Sequence, residues 1–185
     1  MAGTWDGTRY TGDASPEKVV GTAADELIWT YLGNDVIRAN GGHDTVDSGM
    51  ESDKVFGGAG NDVLSGLGCD DLIDVGTGSF TANGGAGFDT LVIDLGQDFA
   101  RKKLFLTSNF TFSTANTTGT AQGFEVFSVR TGDLDDRLTG GDGNDSLNSG
   151  NGDDKLFGGL GDDLLTLGLG AGLWRPWHRH DHLFH

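Results

Sequence analysis

The chain is short of most residues that staple or arm a domain: its 185 residues include one cysteine, two prolines, five histidines, and twelve lysines and arginines against 28 carboxylates. Cys69 has no partner for an internal disulfide, so covalent stapling does not order the chain. No stretch approaches the roughly 20 apolar residues of a membrane span. The opening segment, MAGTWDGTRYTGDASPEKVV, lacks the basic start and apolar run of a cleavable signal peptide, so export would need another route. A net charge of −16 excludes nucleic acid as a natural partner, because phosphates would be repelled; a cation is the natural complement. No G-x-S-x-G elbow, H-E-x-x-H helix, G-x-x-x-x-G-K phosphate loop or D-x-[DN]-x-[DN]-G calcium loop occurs. The expectation is a protein that is not an enzyme, with no small-molecule substrate evident.

What the chain has is glycine, 33 residues of it, recurring with aspartate at an interval of nine. One register runs from GTAADELIW (21–29) through GGAGNDVLS (57–65) to GGAGFDTLV (84–92), with GDASPEKVV (12–20) in phase. A second runs from TGDLDDRLT (131–139) to GGLGDDLLT (158–166) and on into LGLGAG (167–172). The sixth position holds Glu17, Glu26, Asp35, Asp44, Asp53, Asp62, Asp71, Phe80, Asp89, Asp136, Asp145, Asp154 and Asp163. The eighth is always apolar, from Val19 and Ile28 to Leu156 and Leu165. The charge follows the repeats: residues 21–92 carry twelve carboxylates and two basic side chains, 131–166 nine and two, and 93–130 three and four.

A unit of this form has a physical reading. Closely spaced glycines tolerate positive φ, so the first six residues make a tight loop whose carbonyls turn inward. The last three make a short strand with one inward side chain, matching the single apolar eighth position. A chain of hairpins is the competing reading, but hairpin strands need about five or six residues. The expected fold is therefore all-β: a right-handed parallel β-roll, or β-solenoid, in two arrays separated by a non-repeat β spacer. Each repeat makes half a coil, so loops two repeats apart face each other. Asp35, Asp53, Asp71 and Asp89 then share one edge, and Glu26, Asp44, Asp62 and Phe80 the other; Asp136 pairs with Asp154 and Asp145 with Asp163. An oxygen-only cage of carboxylates and carbonyls suits Ca²⁺ better than Mg²⁺ or Zn²⁺. The expected carbonyl donors lie in the loops marked by Gly33, Gly42, Gly58, Gly60, Gly85, Gly87, Gly141, Gly143, Gly150, Gly152, Gly159 and Gly161. About four to eight ions are expected in all. Phe80 cannot ligate, Glu26 is one methylene too long, and Glu51 replaces a loop glycine near Asp53.

These blocks, and above all DSLNSGNGDDKLFGGLGDD (145–163), resemble the hemolysin-type, or RTX, calcium-binding repeat of secreted bacterial proteins. The resemblance implies a parallel β-roll with calcium between its turns and export, unfolded, by type I secretion machinery. It thus implies an extracellular protein without a cleavable signal that folds on meeting calcium, for surface display or adhesion. The alternative is a non-catalytic export and folding module of a larger secreted enzyme: a protease, lipase or polysaccharide epimerase.

The expected division is a cap with a degenerate repeat (1–20), a first calcium-binding roll (21–92), a β spacer or cap (93–130), a second roll (131–172) and an atypical tail (173–185). The spacer loses the period and gains Phe99, Phe105, Phe110, Phe112, Phe124 and Phe127, whose alternation reads as strands. It reads as a hydrophobic cap, with a ligand-binding insertion behind a basic mouth of Arg101, Lys102 and Lys103 as the competing reading. In the tail, His178, His180, His182 and His185 are candidate transition-metal ligands on what reads as an exposed terminus.

Overall fold

In the computed structural model, which describes residues 3–97, 102–114, 116–175 and 181–184, every regular element is a β-strand and most are three residues long. The triplets of the repeats turn the middle residue inward: in Lys54–Phe56, Val55 is buried while Lys54 faces solvent. Strands pair in parallel with the strand two repeats away. Lys18, Val36, Lys54, Leu72 and Thr90 align on one face, and Arg9, Leu27, Thr45, Val63 and Thr81 on the other. Each repeat therefore makes half a coil, and the stacked coils form the expected β-solenoid, of about nine turns. The eighth-position residues all enter one continuous core, Ala82 among them. Two strands, Asp62–Gly68 and Phe80–Ala86, run to seven residues, because their ladder continues around the corner as far as Ala86 opposite Gly68.

The spacer splits one face and leaves the other whole. Asn109–Ser113 and Thr118–Gln122 form an antiparallel hairpin, whose second strand pairs with Phe80–Ala86 and whose first strand is the edge of that sheet. Lys103–Phe105 opens a new sheet with Arg137–Thr139, Lys155–Phe157 and Leu173–Arg175. On the opposite face Val126–Arg130 joins Thr90–Asp94 directly to Ser146–Asn148. That strand also resets the phase by two residues: Val92, at a ninth position, faces Ser128, which faces Ser146, at a seventh. Phe110, Phe124 and Phe127 are buried here, with Phe110 edge-on to Phe127 at 5.8 Å. Lys102 corrects the notion of a basic mouth: it is only 3% exposed and packs at the start of the new sheet. Phe99 and Arg101 lie outside the described residues.

Past residue 172 the coil register goes further than the period of nine reached. Leu173–Arg175 pairs with Lys155–Phe157, and His182–Phe184 with Leu164–Thr166, both at the same two-repeat spacing. His182 therefore sits in a strand of the solenoid; His178, His180 and His185 lie outside the described residues.

Candidate metal centre

The carboxylates at the sixth positions stand immediately before the strands, and Asp62 opens one, so the side chain that precedes the inward apolar residue by two also points inward, at the loop end of the core. All of them are buried, from Glu17 at 9% exposure to Asp89 at 0%. They stack in rows held by the backbone of the neighbouring coil. The N–H groups of Glu17, Asp35, Asp53 and Asp71 donate to Oδ1 of Asp35, Asp53, Asp71 and Asp89, all at 2.7–2.8 Å. On the other edge Glu26 donates to Asp44 (2.9 Å) and Asp44 to Asp62 (3.0 Å). After the spacer Asp136 donates to Asp154 (2.8 Å) and Asp145 to Asp163 (2.9 Å). The structure thus brings together the pairs expected from the sequence. Phe80 breaks the second row and packs against Phe112 instead.

The second oxygen of each carboxylate carries the chemistry. Oδ2 of Asp44, Asp62, Asp71 and Asp89 is buried without a hydrogen-bond partner. An ionised oxygen in that position is costly unless a cation meets it. Burial pushes the carboxyls of Asp44, Asp53 and Asp89 up to about 6 and those of Asp71 and Asp145 up to about 7, with neighbouring carboxylates adding to the rise. Asp35, Asp62, Asp136 and Asp154 shift upward too, chiefly through burial. Some of the carboxylates are eased locally: Ser149 donates its hydroxyl to Asp154 Oδ2 at 2.8 Å, and Gly141 its N–H to Asp145 Oδ2 at 2.7 Å.

Around these oxygens the loops leave room that a side chain would fill. A Cβ on Gly66 would lie 2.1 Å from Asp71 Oδ2 and 2.6 Å from the Gly84 carbonyl oxygen; on Gly57 it would lie 2.8 Å from Asp62 Oδ2 and 3.0 Å from the Val75 carbonyl oxygen. The first glycine of the unit is thus a notch for the carboxylate five residues on, a role distinct from the turn geometry that sequence reasoning gave to glycine. The doublets at 57–58, 84–85, 140–141 and 158–159 were its signal. Turn geometry belongs to the second and fourth positions, as at Gly58 (φ 98°) and Gly60 (φ 147°). The same positions hold Tyr31, Asn40, Glu51, Leu67 and Cys69 at φ of 71 to 75°, a conformation that costs a side-chain-bearing residue about 1 kcal/mol or more. Gly33, Gly42, Gly85, Gly87, Gly150, Gly152, Gly159 and Gly161 are left-handed as well, whereas Gly141 and Gly143 are not. Carbonyls from these loops lie against the next coil, with Gly58 O and Gly60 O close under Gly76 and Gly78.

The groups gathered at these loop ends are therefore oxygens, of carboxylates and of the main chain. A model of the RTX calcium-binding nonapeptide repeat matches residues 20–55, 49–79 and 130–165. The chain belongs to the RTX repeat family. No significant match to a curated protein was found. The RTX repeats are calcium-binding, and the residues present fit that ion: buried oxygens without partners, notches that keep them clear, and no nitrogen or sulfur in the rows. Among the described residues no three His, Cys, Asp or Glu side chains converge.

Two features escaped the period of nine. Asp181 stands two repeats beyond Asp163 and accepts its N–H at 3.4 Å, extending the row into the tail. The fifth positions form a row of their own on the outside of the loops. There Asp70 accepts the Phe88 N–H (2.8 Å), Asn61 that of Ser79 (3.0 Å) and His43, through Nδ1, that of Asn61 (2.9 Å). Asp70 and His43 are exposed, as expected of loop surface, yet each holds the following coil.

Proposed function

We propose that this chain is a non-catalytic calcium-folded element that works outside the cell. Asp35, Asp44, Asp53, Asp62, Asp71, Asp89, Asp136, Asp145, Asp154 and Asp163 supply its side-chain ligands, and the glycine-marked loops its carbonyl ligands. The observation that carries this reading is the file of buried Oδ2 atoms without partners at Asp44, Asp62, Asp71 and Asp89. A bound calcium ion supplies positive charge and accepts oxygen donors at those atoms. The chain does the rest: backbone N–H groups aim each carboxylate, the first-position glycines clear its path, and one apolar side chain per half coil closes the interior. With so little apolar surface per residue, ordering is linked to the ion. Sites of this oxygen-rich kind in extracellular modules work at about 0.1 to 1 mM calcium. That range suits export in an unfolded state by type I secretion machinery, followed by folding outside for surface display or adhesion. Calcium titration followed by far-ultraviolet circular dichroism tests the core of the reading. Cooperative gain of β signal near millimolar calcium, with magnesium a poor substitute, is expected; full β structure in excess chelator overturns it.

A further inference from the structure

The spacer returns to the sheet after two full coil lengths, so that Thr90 faces Val126 and Leu91 faces Phe127. Glu125 therefore stands where the next sixth-position carboxylate would be. Its carboxylate behaves as one: the Asp89 N–H donates to Glu125 Oε2 at 2.9 Å, just as the Asp71 N–H donates to Asp89 Oδ1 at 2.8 Å. The notch is reproduced as well. A Cβ on Gly84 would lie 2.6 Å from Asp89 Oδ2 and 2.0 Å from the Gly123 carbonyl oxygen, which takes the place that the Gly84 carbonyl occupies beside Gly66. Asp89 is fully buried and its Oδ2 has no hydrogen-bond partner. Among the described residues neither Asp89 nor Glu125 meets a lysine or arginine within ion-pair distance.

Glu125 also faces the second array. Its carbonyl oxygen lies 2.0 Å from where a Cβ on Gly143 would be, as the Gly143 carbonyl oxygen lies 2.4 Å from that position on Gly161. One residue thus gives a carboxylate to the phase of the first array and a carbonyl to the phase of the second. An open cavity lined by Phe88, Glu125, Phe127, Asp142 and Gly143 reaches this point from solvent.

We propose that the junction between the arrays is itself a calcium site, built by Asp89, Glu125 and the Gly123 carbonyl outside the repeat sequence, and that its ion couples the two arrays. The proposal rests on the reading of sixth-position carboxylates as ligands. Its test uses the full chain and calcium alone, with bound ions counted by equilibrium dialysis at an intermediate calcium concentration. Glu125→Gln keeps the length of the side chain and an acceptor for the Asp89 N–H while removing the charge; Asp71→Asn does the same within the repeats. Circular dichroism at saturating calcium verifies that both fold. Glu125→Gln is expected to bind one ion fewer than the parent, and its melting at that calcium concentration to separate into two transitions. If Glu125→Gln binds as many ions as the parent while Asp71→Asn binds fewer, the junction site is refuted and the repeat sites stand. If neither variant loses an ion, the assignment of sixth-position ligands fails and takes the junction site with it.

Discussion

Replacing Asp71 by asparagine should have opposite effects with and without calcium. Asp71 Oδ1 accepts the Asp53 N–H at 2.8 Å, and its own N–H donates to Asp89 Oδ1 at 2.8 Å; an amide keeps both bonds. The change is confined to Oδ2, which is buried beside Gly66 without a partner. Burial, reinforced by Asp53 and Asp89, pushes this carboxyl from an ordinary 3.8 up to about 7. Three pH units correspond to about 4 kcal/mol, and solvent screening at the loop end brings the penalty on the charged form to about 2 kcal/mol. In chelator at pH 8, Asp71→Asn should therefore stabilise the coil by about 2 kcal/mol. In calcium the same variant loses a charged ligand, and its folding midpoint should rise about tenfold, equivalent to about 1.4 kcal/mol. Thermal melts in chelator with a stabilising osmolyte, beside calcium titrations without it, read the two effects. Stabilisation in both conditions, or destabilisation in both, would refute the view that Oδ2 is costly alone and useful with the ion.

Two further outcomes follow from the same geometry. Because the folded-state values of Asp44, Asp53, Asp71, Asp89 and Asp145 are raised to about 6 or 7, the folded chain holds protons that the unfolded chain, with carboxyls near 3.9, has released. Chelated protein should have its highest β content near pH 4 and lose it as the pH rises through 6 to 7; a chelated chain that gains structure with rising pH contradicts this sign. Gly66→Ala would put a Cβ 2.1 Å from Asp71 Oδ2 and should shift the calcium midpoint upward, whereas Gly68→Ala meets only the flexible end of Met50 at 3.1 Å and should shift it little. Equal titration curves for the two alanine variants would show that the notch is not needed.

The fold was legible because one spacing encodes both halves of the unit. A carboxylate at the sixth position and an apolar residue at the eighth, repeated at nine, leave a triplet strand and a stacked loop as the consistent solution. Position alone could not divide the glycines by role: Gly57, Gly84 and Gly158 leave space around a neighbouring carboxylate, Gly58, Gly85 and Gly159 supply a positive φ, and all of them read as glycine. Asp181 was hidden because 173–184 contains no glycine; strand pairing, with Leu183 opposite Leu165, carries the register there. Glu125 carries only a weak signal in the sequence. It lies four nines beyond Asp89, with Phe127 two residues on as the apolar partner, but the intervening blocks carry no pattern. The detour of two coil lengths could be recognised only once its end was seen back in the sheet.

The two rows of polar side chains divide the work of holding one coil to the next. In the sixth-position row the earlier coil donates to the later carboxylate, as Asp53 does to Asp71. In the fifth-position row the later coil donates to the earlier side chain, as Phe88 does to Asp70. Both rows join successive coils, but only the inner one encloses charge. Asp70 is exposed, so its ionised group remains hydrated and its charge asks for no ion. Asp70→Ala should therefore lose one hydrogen bond, about 1 kcal/mol of stability in calcium, and leave the number of bound ions as it was. Asp70→Asn, which keeps an acceptor for the Phe88 N–H, should recover that loss. Melting temperatures at saturating calcium and ion counts by equilibrium dialysis separate the two roles. A lower ion count in Asp70→Ala would place Asp70 among the ligands and end the distinction between a row that binds calcium and a row that sets register.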